Sequence, residues 1–269
     1  MPGWLLCIPG LFGLAIGSFG NVVAYRVPAG LSLTRPSHCP HCDAPVRWWQ
    51  NVPVASWLAL RGRCATCRAP IRWTYPLVEA ACAALFVLVT WFLFAGARSP
   101  APADVAVAVA LWWLAAVTVI LTVIDLDTHR LPDVIVLPGY PVAGAGLLVA
   151  CLLGAPWPSL GRAVAGMAIL AGLYGLLRLI RPDGMGGGDV KLAGLLGLYL
   201  GWFGWGALAV GTLAGFVLGG LFGIALIAFG RAGRRSAIPY GPWMLAGAWL
   251  GIVLGEPVAT GYLRLVGAA

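Results

Sequence analysis

The chain has 269 residues, of which 61% are hydrophobic and 10% are charged, and its formal net charge is +8. Soluble domains carry about 25% charged residues, so this composition excludes a soluble protein and indicates an all-α polytopic membrane protein. The basic balance could suggest a nucleic-acid partner, but a one-sided distribution of basic residues across a bilayer would explain it better.

Apolar runs of about 20 residues have the length that crosses a bilayer as a helix, and they predict about eight transmembrane helices. The long run at 190–229 is twice that length. It is expected to fold back at 201–206, where glycines permit a tight turn and tryptophans suit the membrane interface. The predicted spans are roughly residues 4–24, 76–95, 105–124, 134–153, 160–180, two within 190–229, and 242–254.

The distribution of basic residues predicts the orientation. If the polar segment 26–75 is cytoplasmic, 14 of the 17 basic residues lie on the inner side, and only Arg98, Arg162 and Arg264 lie outside. Because cytoplasmic segments are enriched in Lys and Arg, both termini are predicted to be periplasmic. The first span has no basic region before it, which argues against a cleaved signal peptide. The bilayer then explains the charge, and no nucleic-acid partner is expected.

Two C-x2-C pairs lie in the polar segment 26–75. They are Cys39 with Cys42 and Cys64 with Cys67, separated by 21 residues. Paired knuckles at this spacing can bring four thiolates to one tetrahedral Zn²⁺. The segment is too short to bury much core alone, and a reducing cytoplasm argues against disulfides. A structural zinc site is therefore predicted, with a redox pair or unligated cysteines as alternatives.

Two aspartates stand at the ends of predicted spans on the same inner side. Asp125 lies where an apolar run meets the loop 125–133, and Asp189 closes the glycine-rich stretch 184–189. A carboxylate at a membrane boundary is costly, and its default interpretation is functional. Two carboxylates that share one proton could activate water to hydrolyse a peptide bond.

Three neighbours are expected to support Asp189. Gly186 and Gly188 would let the backbone approach another helix or an extended substrate closely. Lys191 would add to the helix-start amides that favour an anionic carboxylate.

Structural roles for the acidic residues remain open. Asp189 could merely cap a helix, and Asp127 is close enough to Asp125 to be confused with it. Asp133 is expected to cap the fourth span. Glu79 is either an interfacial hydrogen-bond partner or part of a polar site, and the sequence does not decide between these roles.

The motifs of this chain, and their order along it, resemble those of bacterial prepilin peptidases of the type IV leader peptidase family. The resemblance covers nearly the whole chain. One departure is Gly20, where a larger aliphatic residue is expected. The resemblance rests on residues 17–28, both cysteine pairs, 53–58, 61–64, 75–79, 125–133, the G-x-G-D pattern within 186–191, and 239–242.

The resemblance implies an aspartic endopeptidase at the cytoplasmic face of the inner membrane. Such enzymes remove short basic leaders from type IV prepilins and type II secretion pseudopilins, cleaving after a glycine. Carried over by motif, the catalytic pair is Asp125 and Asp189, which selects Asp125 over Asp127. The intact cysteine segment implies the bifunctional kind, which then methylates the new N-terminus with S-adenosylmethionine. The residues themselves indicate no site for that donor.

The expected domains are a first transmembrane helix (1–25), a cytoplasmic zinc-binding domain (26–75) and a transmembrane catalytic domain of about seven helices (76–269). Two other functions are a proton-coupled transporter and a non-catalytic membrane zinc scaffold. A transporter would show internal repeats, of which the sequence has no convincing example, and a scaffold would tolerate loss of both aspartates. The sequence does not indicate an oligomeric state.

Overall fold

The computed structural model describes residues 4–96, 100–230, 233 and 238–267. Arg98, expected on the outer side, and Arg231, Arg234 and Arg235, expected on the inner side, lie outside the described residues. The regular structure of the described part is helical apart from two isolated β-bridges, as the sequence predicts. The helices are α1 (Trp4–Arg26), α2 (Ala55–Ala59), α3 (Thr74–Phe94), α4 (Pro102–Thr128), α5 (Asp133–Leu152), α6 (Trp157–Ile180), α7 (Gly187–Phe203), α8 (Trp205–Ala228) and α9 (Gly241–Leu265), with 3₁₀ turns at Trp48–Asn51 and Pro182–Gly184.

Seven of the described helices are long and apolar enough to cross a membrane. The sixth predicted span, α7, is not among these seven, because it has 17 residues and is shorter than any of them. Every residue of α7 from Leu192 to Trp202 is buried, so its neighbours, not lipid, cover most of this helix.

The predicted fold-back between the sixth and seventh spans is confirmed. Helix α7 ends at Gly204, whose φ of 146° is a conformation that glycine adopts without strain. The Glu256 carboxylate of α9 accepts hydrogen bonds from the main-chain N–H groups of Gly206, at 2.8 Å, and Ala207, at 3.4 Å. These bonds satisfy donors that the first turn of α8 leaves without helical partners.

The chain divides into two compact units, of which the first comprises residues 1–100 and 114–123. In this unit α1 packs closely against α3. The helices are so close at Gly17 that a Cβ there would lie 2.6 Å from Cα of Glu79. Small residues allow such close helix contacts in membranes. A Cβ at Gly20 would lie 3.1 Å from Cγ1 of Ile120. The space that a larger residue would fill at Gly20 is thus occupied by Ile120.

The second unit comprises residues 101–113 and 124–269, and α7 lies at its centre. Helix α6 approaches α7 so closely that a Cβ at Gly166 would lie 2.4 Å from the carbonyl oxygen of Gly197. The buried Tyr199 hydroxyl donates to the carbonyl oxygen of Ala110 at 2.9 Å. The outer face of α8 is an exposed apolar stripe of helical spacing, as expected of a lipid-facing helix. Its members are Leu213, Val217, Leu221 and Ile224.

Candidate functional site

Asp125 belongs to helix α4 and does not begin a loop. The sequence predicted that the helix ends at residue 124, but α4 continues to Thr128. The Thr128 hydroxyl donates to the carbonyl oxygen of Ile124 at 2.7 Å. His129 then ends the helix in a left-handed conformation, with its N–H donating to the carbonyl oxygen of Asp125. The carboxylate is therefore carried by the last turn of a regular helix, which fixes its direction better than a loop would.

The Asp125 side chain is buried, with 5% of its surface exposed. Its Oδ2 accepts a hydrogen bond from the main-chain N–H of Gly241, at 2.9 Å. A Cβ at Gly241 would lie 2.9 Å from that oxygen and 3.0 Å from Cδ2 of Leu131. Glycine at position 241 is what allows the first turn of α9 to approach this carboxylate.

Asp189 lies in the first turn of α7, which begins at Gly187. Its Oδ2 accepts a hydrogen bond from the main-chain N–H of Gly186, at 2.9 Å. The carboxylate thus reaches back to the helix start, so the capping role that was kept as an alternative is present. This bond uses one of the two carboxylate oxygens, and a capping contact does not exclude a chemical role.

The segments that carry the two aspartates converge on Leu131. A Cβ at Gly188 would lie 2.8 Å from Cβ of Leu131, and the Leu131 side chain also contacts Gly241, the partner of Asp125. The Asp189 carboxylate experiences the charge of Asp125. Where two carboxylates share a site, a state in which one is protonated and the other ionised is favoured.

A pair of tyrosines lies beside Asp189. The hydroxyls of Tyr174 and Tyr240 are 3.2 Å apart, and both side chains interact electrostatically with Asp189. Tyr174 also stacks on Phe216, with 5.3 Å between ring centroids. Burial raises the pKa of Tyr240, so its hydroxyl stays protonated and can donate a hydrogen bond. The sequence pointed to the 239–242 motif without assigning it a role, and it gave no sign of Tyr174.

Lys191 does not pair with Asp189. Its Nζ lies 2.6 Å from Oδ2 of Asp133, and this ion pair joins the first turns of α7 and α5. Asp133 is the first residue of α5 and makes no capping hydrogen bond there; Pro132 occupies the N-cap position. The expected cap is therefore replaced by an interhelical ion pair.

The four predicted cysteines form one cluster. All four sulfur atoms lie within 4.8 Å of one another, and those of Cys39 and Cys67 are 3.8 Å apart. A disulfide would require about 2.05 Å, and the cysteines are free thiols. This cluster could hold a metal ion.

The two knuckles are copies of one local structure. The residues after the second cysteines, Asp43 and Arg68, are both left-handed, with φ of 55° and 61°. An antiparallel bridge closes each loop, within 38–45 and 63–70. In the sequence this repeat is visible as the shared pattern C-x-x-C-x-A-P followed by Val or Ile. The zinc prediction used only the spacing of the cysteines and so did not detect the repeat.

Main-chain amides stabilise one of the thiolates. Hydrogen bonds from the N–H groups of Cys67 and Thr66 lower the pKa of Cys64 to about 6. The Thr66 N–H lies 3.4 Å from the sulfur atom. A thiolate is the form that binds metal.

Comparison with known proteins gives matches along most of the chain. The model of the bacterial peptidase A24 N-terminal domain matches residues 11–93, and that of the type IV leader peptidase family matches residues 108–224. A protein of Pseudomonas putida is 34% identical, over 99% of this chain and 96% of its own length. Proteins of Aeromonas hydrophila (37% identical, over 94% of this chain and 92% of theirs) and Burkholderia pseudomallei strain K96243 (36%, over 98% and 89%) are also similar. All three are named prepilin leader peptidase/N-methyltransferase. No solved structure matches.

Proposed function

This chain belongs to the type IV leader peptidase family, and from that premise we propose that it cleaves the short basic leader from type IV prepilins or type II secretion pseudopilins and then N-methylates the new N-terminus with S-adenosylmethionine. The observation that supports the peptidase proposal is that Leu131 lies against both Gly188, the neighbour of Asp189, and Gly241, the partner of Asp125. Capping alone would explain Asp189 but not the burial of Asp125.

The proposed chemistry uses the pair as a proton-sharing unit. The ionised carboxylate takes a proton from water, which attacks the scissile carbonyl carbon, while the protonated carboxyl donates a hydrogen bond to the carbonyl oxygen. The hydrogen bond from Gly241 holds Asp125 in position, and that from Gly186 holds Asp189. Preorganised groups of this kind lower the barrier because they need not reorient during the reaction.

Other residues of the site act as supports. Gly188 leaves room for Leu131 between the two segments, and the Lys191–Asp133 ion pair ties the start of α7 to the start of α5. The tyrosine pair supplies protonated hydroxyls next to Asp189, where a developing negative charge on the substrate would need hydrogen-bond donors.

For the cysteine cluster the proposed metal is zinc, held by Cys39, Cys42, Cys64 and Cys67. Zinc–thiolate bonds of about 2.3 Å in a tetrahedron imply sulfur–sulfur distances of roughly 3.8 Å, and the Cys39–Cys67 distance is 3.8 Å. The ion would crosslink two loops that have little helix of their own. Residues 26–75 are accordingly proposed as the zinc-binding domain, between a first transmembrane helix (1–25) and the catalytic domain (76–269).

The chain is a multi-pass membrane protein, and we infer the inner membrane with both termini in the periplasm. The basis is the excess of Lys and Arg on one side. In this orientation the aspartate pair and the cysteine cluster face the cytoplasm, where the basic leader of an unprocessed prepilin remains. The substrate's apolar helix would lie in the bilayer beside the enzyme.

The direct test uses purified protein in liposomes with a synthetic prepilin that carries a short basic leader. Mass spectrometry should record the loss of the leader, and the gain of one methyl group only when S-adenosylmethionine is added. Failure of metal-loaded, folded protein to cleave several prepilins would refute the proposal and favour a non-catalytic scaffold.

A further inference from the structure

A cavity of about 360 Å³ lies in the first unit, between α1, the start of α3 and the cysteine-bearing segment. This volume is within the range of about 300–1,000 Å³ that is typical of small-molecule sites. Two of the metal-cluster cysteines, Cys39 and Cys64, form part of its wall. Neither Asp125 nor Asp189 is among the residues that line it.

Two buried charges line the cavity. Glu79 is 8% exposed and Arg26 is 7% exposed. Burying a charge is costly unless an opposite charge or several hydrogen bonds compensate it. The partners that each charge has within the protein therefore indicate which of them is left for a ligand.

Neither charge meets an opposite charge of the protein among the residues that the structure describes. Arg26 donates to main-chain carbonyl oxygens only, those of Ser32, Leu33, Arg35 and Pro36. Glu79 accepts one hydrogen bond from the main-chain N–H of Val54, at 2.7 Å. Glu79 is thus a hydrogen-bond partner of the main chain and also lines the cavity.

We propose that this cavity binds the methyl donor S-adenosylmethionine, with the Glu79 carboxylate facing the donor's positive charges. The inference rests on the methyltransferase activity proposed above. The donor carries a sulfonium and an ammonium, so it complements a buried acid that meets no opposite charge among the described residues. The apolar and aromatic part of the lining, which includes Trp57 and Tyr25, suits the adenine ring.

The chemistry required of the site is a direct displacement. The neutral amine of the processed N-terminus attacks the methyl carbon of the sulfonium, and the N–C bond forms as the C–S bond breaks. The electron pair of the broken bond goes to sulfur, which leaves S-adenosylhomocysteine, and a proton leaves the nitrogen. The sulfonium charge is lost in this step while the ammonium charge remains, so Glu79 attracts two cationic groups in the substrate complex and one in the product complex.

An anionic phospholipid headgroup is the other class of molecule that could enter a cavity near the membrane. It carries no cation to complement Glu79, and its phosphate would be repelled by that carboxylate in a low-dielectric wall. The buried acid therefore favours the donor over an anionic lipid.

The test is equilibrium binding of S-adenosylmethionine and S-adenosylhomocysteine to the purified, metal-loaded full-length protein, by isothermal titration calorimetry. Glu79→Gln keeps an oxygen that can accept the Val54 N–H but removes the charge. It is expected to raise the Kd for S-adenosylmethionine at least about tenfold, and more than the Kd for S-adenosylhomocysteine. Asp104→Asn, an acid-to-amide change on α4 outside the cavity, should leave both values unchanged.

A second variant tests the cavity without altering charge. Ser18 of α1 lines the cavity and Ala15, one turn away on the same helix, does not. Ser18→Leu should weaken donor binding by a similar factor, and Ala15→Leu should change the Kd less than about twofold. Metal content and the unfolding temperature report whether each variant is folded.

The outcomes separate this inference from the proposed function. If the wild type cleaves and methylates a prepilin while Glu79→Gln and Ser18→Leu bind the donor with the wild-type Kd, the cavity assignment is wrong and the function stands. If the wild type binds the donor in this cavity but neither cleaves nor methylates, the function is wrong and the assignment stands.

Discussion

The main-chain N–H of Gly241 donates a hydrogen bond to the Asp125 carboxylate across 2.9 Å, although the two residues are 116 positions apart in the chain. This bond ties the start of α9 to the last turn of α4. It gives the 239–242 motif a physical purpose, because only a residue without a side chain lets the amide come this close.

Gly241→Ala should therefore impair the site. The added Cβ would lie 2.9 Å from Oδ2 of Asp125, so either the carboxylate or the helix start must move. We expect cleavage to fall about 100-fold, since small displacements of a reacting group have effects of this size. Prepilin processing and the unfolding temperature measure the effect.

Gly220→Ala is the matched control, because a Cβ there meets nothing within 4 Å. It should cleave at the wild-type rate. Equal losses in both alanine variants would mean that the contact at position 241 has no specific role.

Asp125→Asn should lose cleavage by at least about 100-fold, the lower range for removal of a general acid or base. Asp127→Asn changes the same residue type two positions away, on an exposed part of α4, and should retain activity. Initial rates of leader removal distinguish the two. The reverse pattern would assign the chemistry to Asp127.

The contribution of the Lys191–Asp133 ion pair to stability can be tested separately. Both side chains are partly exposed, at 42% and 54%, so Lys191→Met and Asp133→Asn should each lower the free energy of unfolding by about 1 kcal/mol or less. In a double-mutant cycle the two effects should be coupled. Cleavage should respond alike to both single changes. A large loss in Lys191→Met alone would indicate that the lysine acts on Asp189 directly.

Metal removal tests the cysteine cluster. Cys39→Ser combined with Cys67→Ser should lose the bound zinc and lower the unfolding temperature, because the ion crosslinks two loops. Cys7→Ser, in α1 and outside the cluster, should keep one zinc per chain by elemental analysis. Zinc retained at full stoichiometry in the double variant would contradict the assignment.

Much of the helical fold could be predicted from the sequence, since the length of an apolar run determines a membrane helix locally. The turn at Gly204 was predictable for the same reason. The end of α4 was not, because the helix continues past the polarity change that marks residue 124 and ends only where His129 adopts a left-handed conformation.

The sequence likewise indicated some residues of the candidate site and not others. Spacing and motif singled out Asp125, Asp189 and the four cysteines, whose types are chemically restricted. Spacing could not find the amide of Gly241 or the hydroxyl of Tyr174, because both depend on contacts between distant helices. The sequence singled out Glu79 but could not decide its role, because that role depends on its burial and on the single hydrogen bond that it accepts.

The most direct measurement compares leader cleavage by the wild type, Asp125→Asn, Asp189→Asn and the variant carrying both changes, all reconstituted and with bound zinc verified. If the carboxylates act as one unit, each single change should reduce the rate to the same floor, and the double change should reduce it no further. Wild-type cleavage by either single variant, or losses that multiply in the double variant, would contradict a shared-proton pair as the catalytic centre.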